Sequence, residues 1–254
     1  MIETRQELLK GKSTVIKNVQ FLSTASYVQP FFDRLDKLKA TYIINVKVAD
    51  QMSTTNKTPD IIYNKVHIQA VLPDTYYKTK NTKKVVGFVY GLDVKKPAAK
   101  FYIADIDDQG NLYAFDINKI CYQVLEDSTP INYSPIDTLL QSIDANPKVL
   151  EQMTNTEYAD RNDMHHKMGE WIKFSMDNYY VNDLGKIKLA SSMAIDAYKN
   201  LCVDKDSATY IPDTKPILMQ DAFKTFADLI RTDKDIFNNF EKTYLVSQMI
   251  HNTI

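Results

Sequence analysis

From Ala40 to Asp74 the chain reads ATYIINVKVADQMSTTNKTPDIIYNKVHIQAVLPD, and the spacing of its apolar residues decides the fold class. Tyr42, Ile44, Val46 and Val48 recur at every second position, the pattern of a strand with one buried face. Ile62, Val66, Ile68 and Val71 repeat it less regularly, and QMSTTNKTP between the two runs is polar turn material. Four more short strand candidates follow, KKVVGFVYGLDV, KFYIADID, NLYAFD and ICYQVLED. Six strands within roughly 90 residues, joined by short connections, predict a mostly antiparallel sheet in the middle of the chain.

The period changes on either side. In FLSTASYVQPFFDRLDKLK, residues Tyr27, Phe31, Phe32, Leu35 and Leu38 fall near helical spacing. A helix is expected from about Tyr27 to Lys39, capped by Thr24 or Ser26, with Pro30 near its first turn where a missing N–H costs least. Ile2 to about Lys17 has mixed charge and reads as a short helix or an arm. From Ser134 the pattern becomes helical and stays so. Ser134 stands at an N-cap position with Pro135 just inside, and EYADRNDMHHKMGEWIKFSMDNYY, KIKLASSMAIDAYKNL, PILMQDAFKTFADLIRT and KDIFNNFEKTYLVSQMIHN are amphipathic or partly so. Strands followed by helices predict an α+β fold: an N-terminal helix, a central sheet of about six strands, and a C-terminal helical half. The corresponding division is 1–133 and 134–254, as two regions or as one continuous domain.

The composition is that of an ordinary globular chain of 254 residues, 44% hydrophobic and 25% charged. Its 16 Tyr and 11 Phe, beside 6 Gly and 1 Trp, point to an aromatic core. Glu3, Arg5, Glu7, Lys10 and Lys12 occupy the stretch where a signal peptide needs an apolar run, and no later run approaches a membrane span, so no membrane is expected as partner. A protein made and kept in a cytoplasm is the expectation. Cys121 and Cys202 lie far apart without a Cys-x-x-Cys partner and read as small buried hydrophobes.

Charge is distributed unevenly. Up to Lys100 there are 17 basic residues against 8 acidic, and beyond it 14 against 24, so a net of +9 precedes a net of −10. Such asymmetry points to an anionic partner, or to one end of the molecule meeting the other end of a neighbour. The densest basic segment is TYYKTKNTKKVV, where Tyr76 and Tyr77 precede Lys78, Lys80, Lys83 and Lys84, and Lys95, Lys96 and Lys100 follow. Lysines that track phosphates beside rings that stack on bases are the means of sequence-tolerant single-strand binding. The competing reading is a solvated hairpin whose lysines protect a sheet edge. The scarcity of arginine argues against base-edge readout, which relies on the bidentate guanidinium.

Two further clusters carry possible metal or acid–base chemistry. Asp105, Asp107, Gln109 and Asp116 fit positions 1, 3, 5 and 12 of a calcium loop with Gly110 at position 6, although the flanks KFYIA and LYAF read as strands and Asp-Gln-Gly-Asn suits a hairpin turn. Asp160, Asp163, His165, His166 and Glu170 lie together; His166 and Glu170 share a helical face, but adjacent histidines point about 100° apart and no HExxH pattern is present. An exposed polar face is the simpler account. His67 sits within a strand pattern and His251 near the C-terminus, neither beside an evident nucleophile. No GxxxxGK[ST], GxGxxG, GxSxG or kinase signature occurs, so no cofactor is expected and the balance leans away from an enzyme.

The segments YNKVHIQAVLPD, VVGFVYGLDVKKPAAKFYIADID, NLYAFD, LASSMAIDAYKNL and FEKTYLVSQMI, covering roughly Tyr63 to Ile250, together resemble uncharacterised phage proteins of the phage/plasmid-like group called domain of unknown function 932. The resemblance implies a bacteriophage or mobile-element origin and carries no established activity. The expected function is therefore binding and assembly: on single-stranded DNA in phage replication or recombination, or alternatively as a virion component forming a ring-like homo-oligomer with itself or other phage proteins. A metal-dependent enzyme is the third class.

Overall fold

The computed structural model describes residues 4–51, 60–73, 78–79, 82–92, 97–107, 112–141, 157–158, 161–178, 180–182, 185–203, 209–210, 217–230 and 236–252. The fold is α+β. The chain divides into two compact units, the first made of Met1–Ala104 and Asn118–Ala145, the second of Asp105–Ile117 and Asn146–Ile254.

A six-stranded sheet organises most of the first unit, while residues 105–107 and 112–117 at the ends of its last two strands count with the second. β3 (Thr41–Gln51), β4 (Asp60–Val71), β6 (Thr82–Gly91), β7 (Ala98–Asp107) and β8 (Leu112–Val124) lie side by side in that order, and β5 (Lys78–Thr79) pairs with β6. The pairings β3/β4, β4/β6 and β5/β6 are antiparallel. The count of six agrees with the sequence for a different reason: NLYAFD and ICYQVLED are one strand, β8, and the sixth strand is the lysine segment β5. Between Lys47/Lys65 and Ala49/Ile62 the register shifts, β4 taking three steps where β3 takes two. Such a bulge turns the following residues over, so Tyr63 joins Val66, Ile68 and Ala70 in the core on one face.

That face is covered by helix α2 (Thr24–Lys37). Its side chains Tyr27, Phe31 and Phe32 are fully buried, and Phe31 lies 5.3 Å from Phe88 of β6 and 5.7 Å from Phe101 of β7, which stack on each other at 4.6 Å. Burying rings of this size stabilises by about 1.5–3 kcal/mol each, and the offset and tilted contacts add about 0.5–1.5. The helix begins earlier than the spacing predicts. Ser23, not Thr24 or Ser26, is the cap, its side chain accepting from Ser26 N. Pro30 consequently falls in the second turn.

The N-terminal segment is more structured than an arm. Helix α1 (Arg5–Leu8) starts in a capping box, with Thr4 Oγ1 accepting from Glu7 N and Glu7 Oε2 accepting from Thr4 N. A hairpin follows, β1 (Thr14–Ile16) with β2 (Val19–Phe21). Its turn residues Lys17 and Asn18 both have positive φ, 51° and 66°, as a type I′ turn requires. Helix α3 (Ser134–Gln141) also belongs to this unit and buries Ile136 and Leu139 in the sheet core. The helical run thus begins inside the sheet unit, and the division after residue 133 does not separate the two. Arg34 holds α3 to α2: Nε and Nη2 donate to the two carboxylate oxygens of Asp137 at 2.6 and 2.9 Å, Nη1 donates to Pro30 O, and the guanidinium lies 4.6 Å over the Tyr133 ring. Arg34→Ala is expected to cost about 1–2 kcal/mol in urea unfolding, and Arg34→Lys about half of that, because lysine cannot form the fork.

The second unit contains four long helices: α4 (Arg161–Asp177), α5 (Ser191–Cys202), α6 (Met219–Ile230) and α7 (Ile236–His251). Each packs on the next, and α7 returns to α4. Trp171 of α4 meets Phe226 of α6 edge-on at 5.1 Å, while Ala194 and Ala197 keep α5 thin enough for close approach. Cys202 is buried as expected of a small hydrophobe. This half is not purely helical: β9 (Glu157–Tyr158) pairs with β12 (Ile217–Leu218), and β10 (Tyr180–Asn182) with β11 (Gly185–Ile187). Strands of two or three residues are too short for a period to announce them. No helix among the described residues is long and apolar enough to cross a membrane.

Candidate nucleic-acid interface

The face of the sheet turned away from α2 carries half-buried lysines around a buried centre, where Val85, Val89 and Ala104 lie beside His67, Gln69 and Tyr102. Residues directly opposite in an antiparallel pair share a face, and so do residues two apart on one strand. Lys65 stands opposite Gly91, His67 opposite Val89, Gln69 opposite Gly87, and Val71 opposite Val85. Lys83, two beyond Val85, is therefore on this face, and Lys100 shares it with Tyr102 two positions along β7. Lys65, Lys83 and Lys100 are half-buried. In register, Lys47 stands opposite Lys65, and Lys78 opposite Lys83.

Lys84 does not belong with them. Alternation turns it toward the α2 side with Val86 and Phe88, and it is only 4% exposed. A run of adjacent lysines in the sequence is split by the strand into one residue on each face, so Lys84 is withdrawn from the surface expected to meet phosphate. The backbone of Lys78 is described as strand; Tyr76, Tyr77, Lys80, Lys95 and Lys96 lie outside the described residues.

At the centre of this face is a buried network that sequence reasoning missed. His67 Nε2 and Tyr102 Oη are 2.5 Å apart, and Gln69 is hydrogen-bonded to the same phenol. The side-chain amide of Gln69 donates to Tyr102, the Tyr102 hydroxyl donates to Nε2, and the imidazole proton is left on Nδ1, an assignment made from the network. Burial drives the His67 pKa down to about 3 and the Tyr102 pKa well up, so both rings are held neutral. Room for the phenol comes from Gly87, where a Cβ would lie 1.8 Å from Tyr102 Cζ. The only signal in the sequence is two polar residues, His67 and Gln69, on one side of an otherwise apolar strand. With every member inside the protein, the network fixes the sheet and does not form a binding platform.

The acidic candidates fall on two neighbouring strands and on a helix. Asp105 lies within β7 and is 1% exposed, Asp107 ends that strand, Asp116 is part of β8, and Gln109 lies outside the described residues. The segment therefore joins two neighbouring strands, whereas a calcium loop of that kind joins two helices. On α4, His165 and His166 are exposed, Glu170 accepts from Lys167 Nζ at 3.1 Å, and His165 packs edge-on to Tyr198 at 5.8 Å. Asp160 lies outside the described residues, and His251 is the last residue of α7. Among the described residues no three His, Cys, Asp or Glu side chains come close enough to hold a metal ion.

The charge asymmetry follows the compact units. The sheet unit has 18 basic residues against 12 acidic, a net of +6, and the helical unit 13 against 20, a net of −7. No family model, no curated protein and no solved structure matches the chain.

Proposed function

We propose that this is a non-enzymatic bacteriophage protein that binds single-stranded nucleic acid through the lysines of its sheet unit, in replication or recombination. The observation that carries this is the partition of charge between the compact units, +6 on the sheet unit and −7 on the helical one. A basic unit attracts phosphates over several ångströms, while an acidic one keeps the molecule from coating nucleic acid indiscriminately. Lysine suits the role because an ammonium neutralises phosphate without reading bases.

Fluorescence anisotropy with an oligothymidylate tests it. With about four phosphates neutralised, affinity should fall about 50-fold between about 50 and 200 mM salt. Lys78→Glu with Lys83→Glu should weaken binding at least about 10-fold and lower the salt slope by about 1.4. Binding that ignores salt, or that survives both reversals unchanged, defeats the proposal. Lys84 is left intact because a reversal there buries an acid.

The same partition favours a second role, as a virion component in which the basic unit of one copy meets the acidic unit of the next and a ring closes. Light scattering separates the two: a discrete oligomer that dissociates in high salt supports assembly, and a monomer at all salts removes it.

A further inference from the structure

We infer that the outer edge of strand β1 docks an extended, acidic segment of another protein, which adds to the β1–β2 hairpin as a third strand. The two-residue turn closes the hairpin on Ile16 and Val19, so the next pair, Val15 and Gln20, does not bond across. Gln20 shows the direction of its free groups: its N–H donates to Asp127 Oδ1 at 2.6 Å and its C=O accepts from Ser128 N at 2.8 Å, both outside the hairpin. Val15 therefore turns its own N–H and C=O out of the opposite edge. Among the described residues neither group has a partner. One donor and one acceptor on a single residue are what an added antiparallel strand takes up.

The side chains select the same occupant. Thr14 is buried and Ile16 half-buried on the inner face, while Val15, apolar and β-branched, is 57% exposed. Lys12 and Lys17 stand just outside the two ends of the strand; both are exposed, and neither makes an ion pair among the described residues. A second copy pairing edge to edge would crowd the lysines of both chains around this short junction, which is how lysines keep like edges apart. Acids flanking an apolar residue are instead attracted at both ends. The edge is also fixed before anything binds. Lys12 N donates to Ile61 O at 2.9 Å, Phe21 is buried in the core and Gln20 is tied as above, so little order is lost on docking.

Amide NMR of the full chain, titrated with the peptide Glu-Thr-Val-Thr-Glu, tests this without reference to the nucleic-acid role. The Val15 amide should shift and exchange about 10-fold more slowly with the peptide bound. Lys-Thr-Val-Thr-Lys should bind at least about 10-fold more weakly, and so should the acidic peptide N-methylated at its valine, which cannot close the ladder. Val15→Pro, a change that a solvent-facing edge admits, should lose the peptide and keep the rest of the spectrum. Lys12→Glu with Lys17→Glu should reverse the preference toward the basic peptide. Equal binding of the acidic and basic peptides, or full binding of the N-methylated one, overturns the inference. So does a dimer in light scattering that Val15→Pro converts to a monomer, which gives the edge to a second copy. Displacement of the acidic peptide by oligothymidylate overturns it as well, since these lysines would then serve phosphate.

Discussion

Gly87→Ala is expected to destabilise the sheet unit by about 3–5 kcal/mol, from a single added methyl group. The methyl has nowhere to go: it would fall 1.8 Å from Tyr102 Cζ, 2.2 Å from Cε1 and 2.3 Å from the hydroxyl. Tyr102 is fully buried between its partners, so its ring can retreat only by breaking the bonds to His67 and Gln69. Overpacking alone costs about 1–3 kcal/mol, and stranding buried polar groups adds about 1–3. Since a whole domain is stable by only about 5–15 kcal/mol, the change should be visible as a lowered urea midpoint. Far-UV circular dichroism is the suitable probe, because the one tryptophan, Trp171, lies in the helical unit. A second background isolates the cause. In Tyr102→Leu the colliding atoms are gone, so adding Gly87→Ala there should cost less than about 1 kcal/mol. Equal costs in both backgrounds would mean that the ring contact is not the reason.

The sheet was largely legible because β4, β6 and β7 bury β-branched and aromatic residues at a period of two, and α2 because its aromatic residues recur at helical spacing. What escaped shares a cause: features set by tertiary partners rather than by local period. The β1–β2 turn uses Lys17 and Asn18 in the left-handed region without a glycine to mark it. Lys84 looks like its neighbour Lys83 in the sequence, and only the pleat decides that one is buried. His67 and Gln69 read as the exposed positions of a half-buried strand, yet both faces of β4 are covered at its centre. The charge asymmetry was visible at once, but its assignment to compact units needed the long return of 118–145 to the sheet, which no pattern in those residues announces.

Acidification is expected to unfold the sheet unit through His67. The imidazole is buried with a pKa of about 3, against about 6.5 in the unfolded chain, so the folded state binds the proton less readily than the unfolded state. Its contribution is therefore complete above about pH 6.5 and is lost as pH falls toward 3, at about 1.4 kcal/mol per pH unit. Between pH 7 and 5 the loss should be about 2 kcal/mol, and by pH 3 it approaches about 5, comparable to the whole stability of a marginal domain. His67→Gln separates this from other titrations. Glutamine stays neutral and its amide oxygen can still accept from the Tyr102 hydroxyl, so the variant should retain the network and lose the slope. Urea midpoints at pH 7 and 5, compared between the two chains, cancel every carboxylate and the other histidines, because those are common to both. A difference between the two chains of about 2 kcal/mol over that interval, about 1 kcal/mol per unit, identifies His67 as the group that titrates. Parallel slopes would show that the ring takes up its proton in the folded sheet as readily as in the open chain, and that it is not held neutral between Tyr102 and the interior.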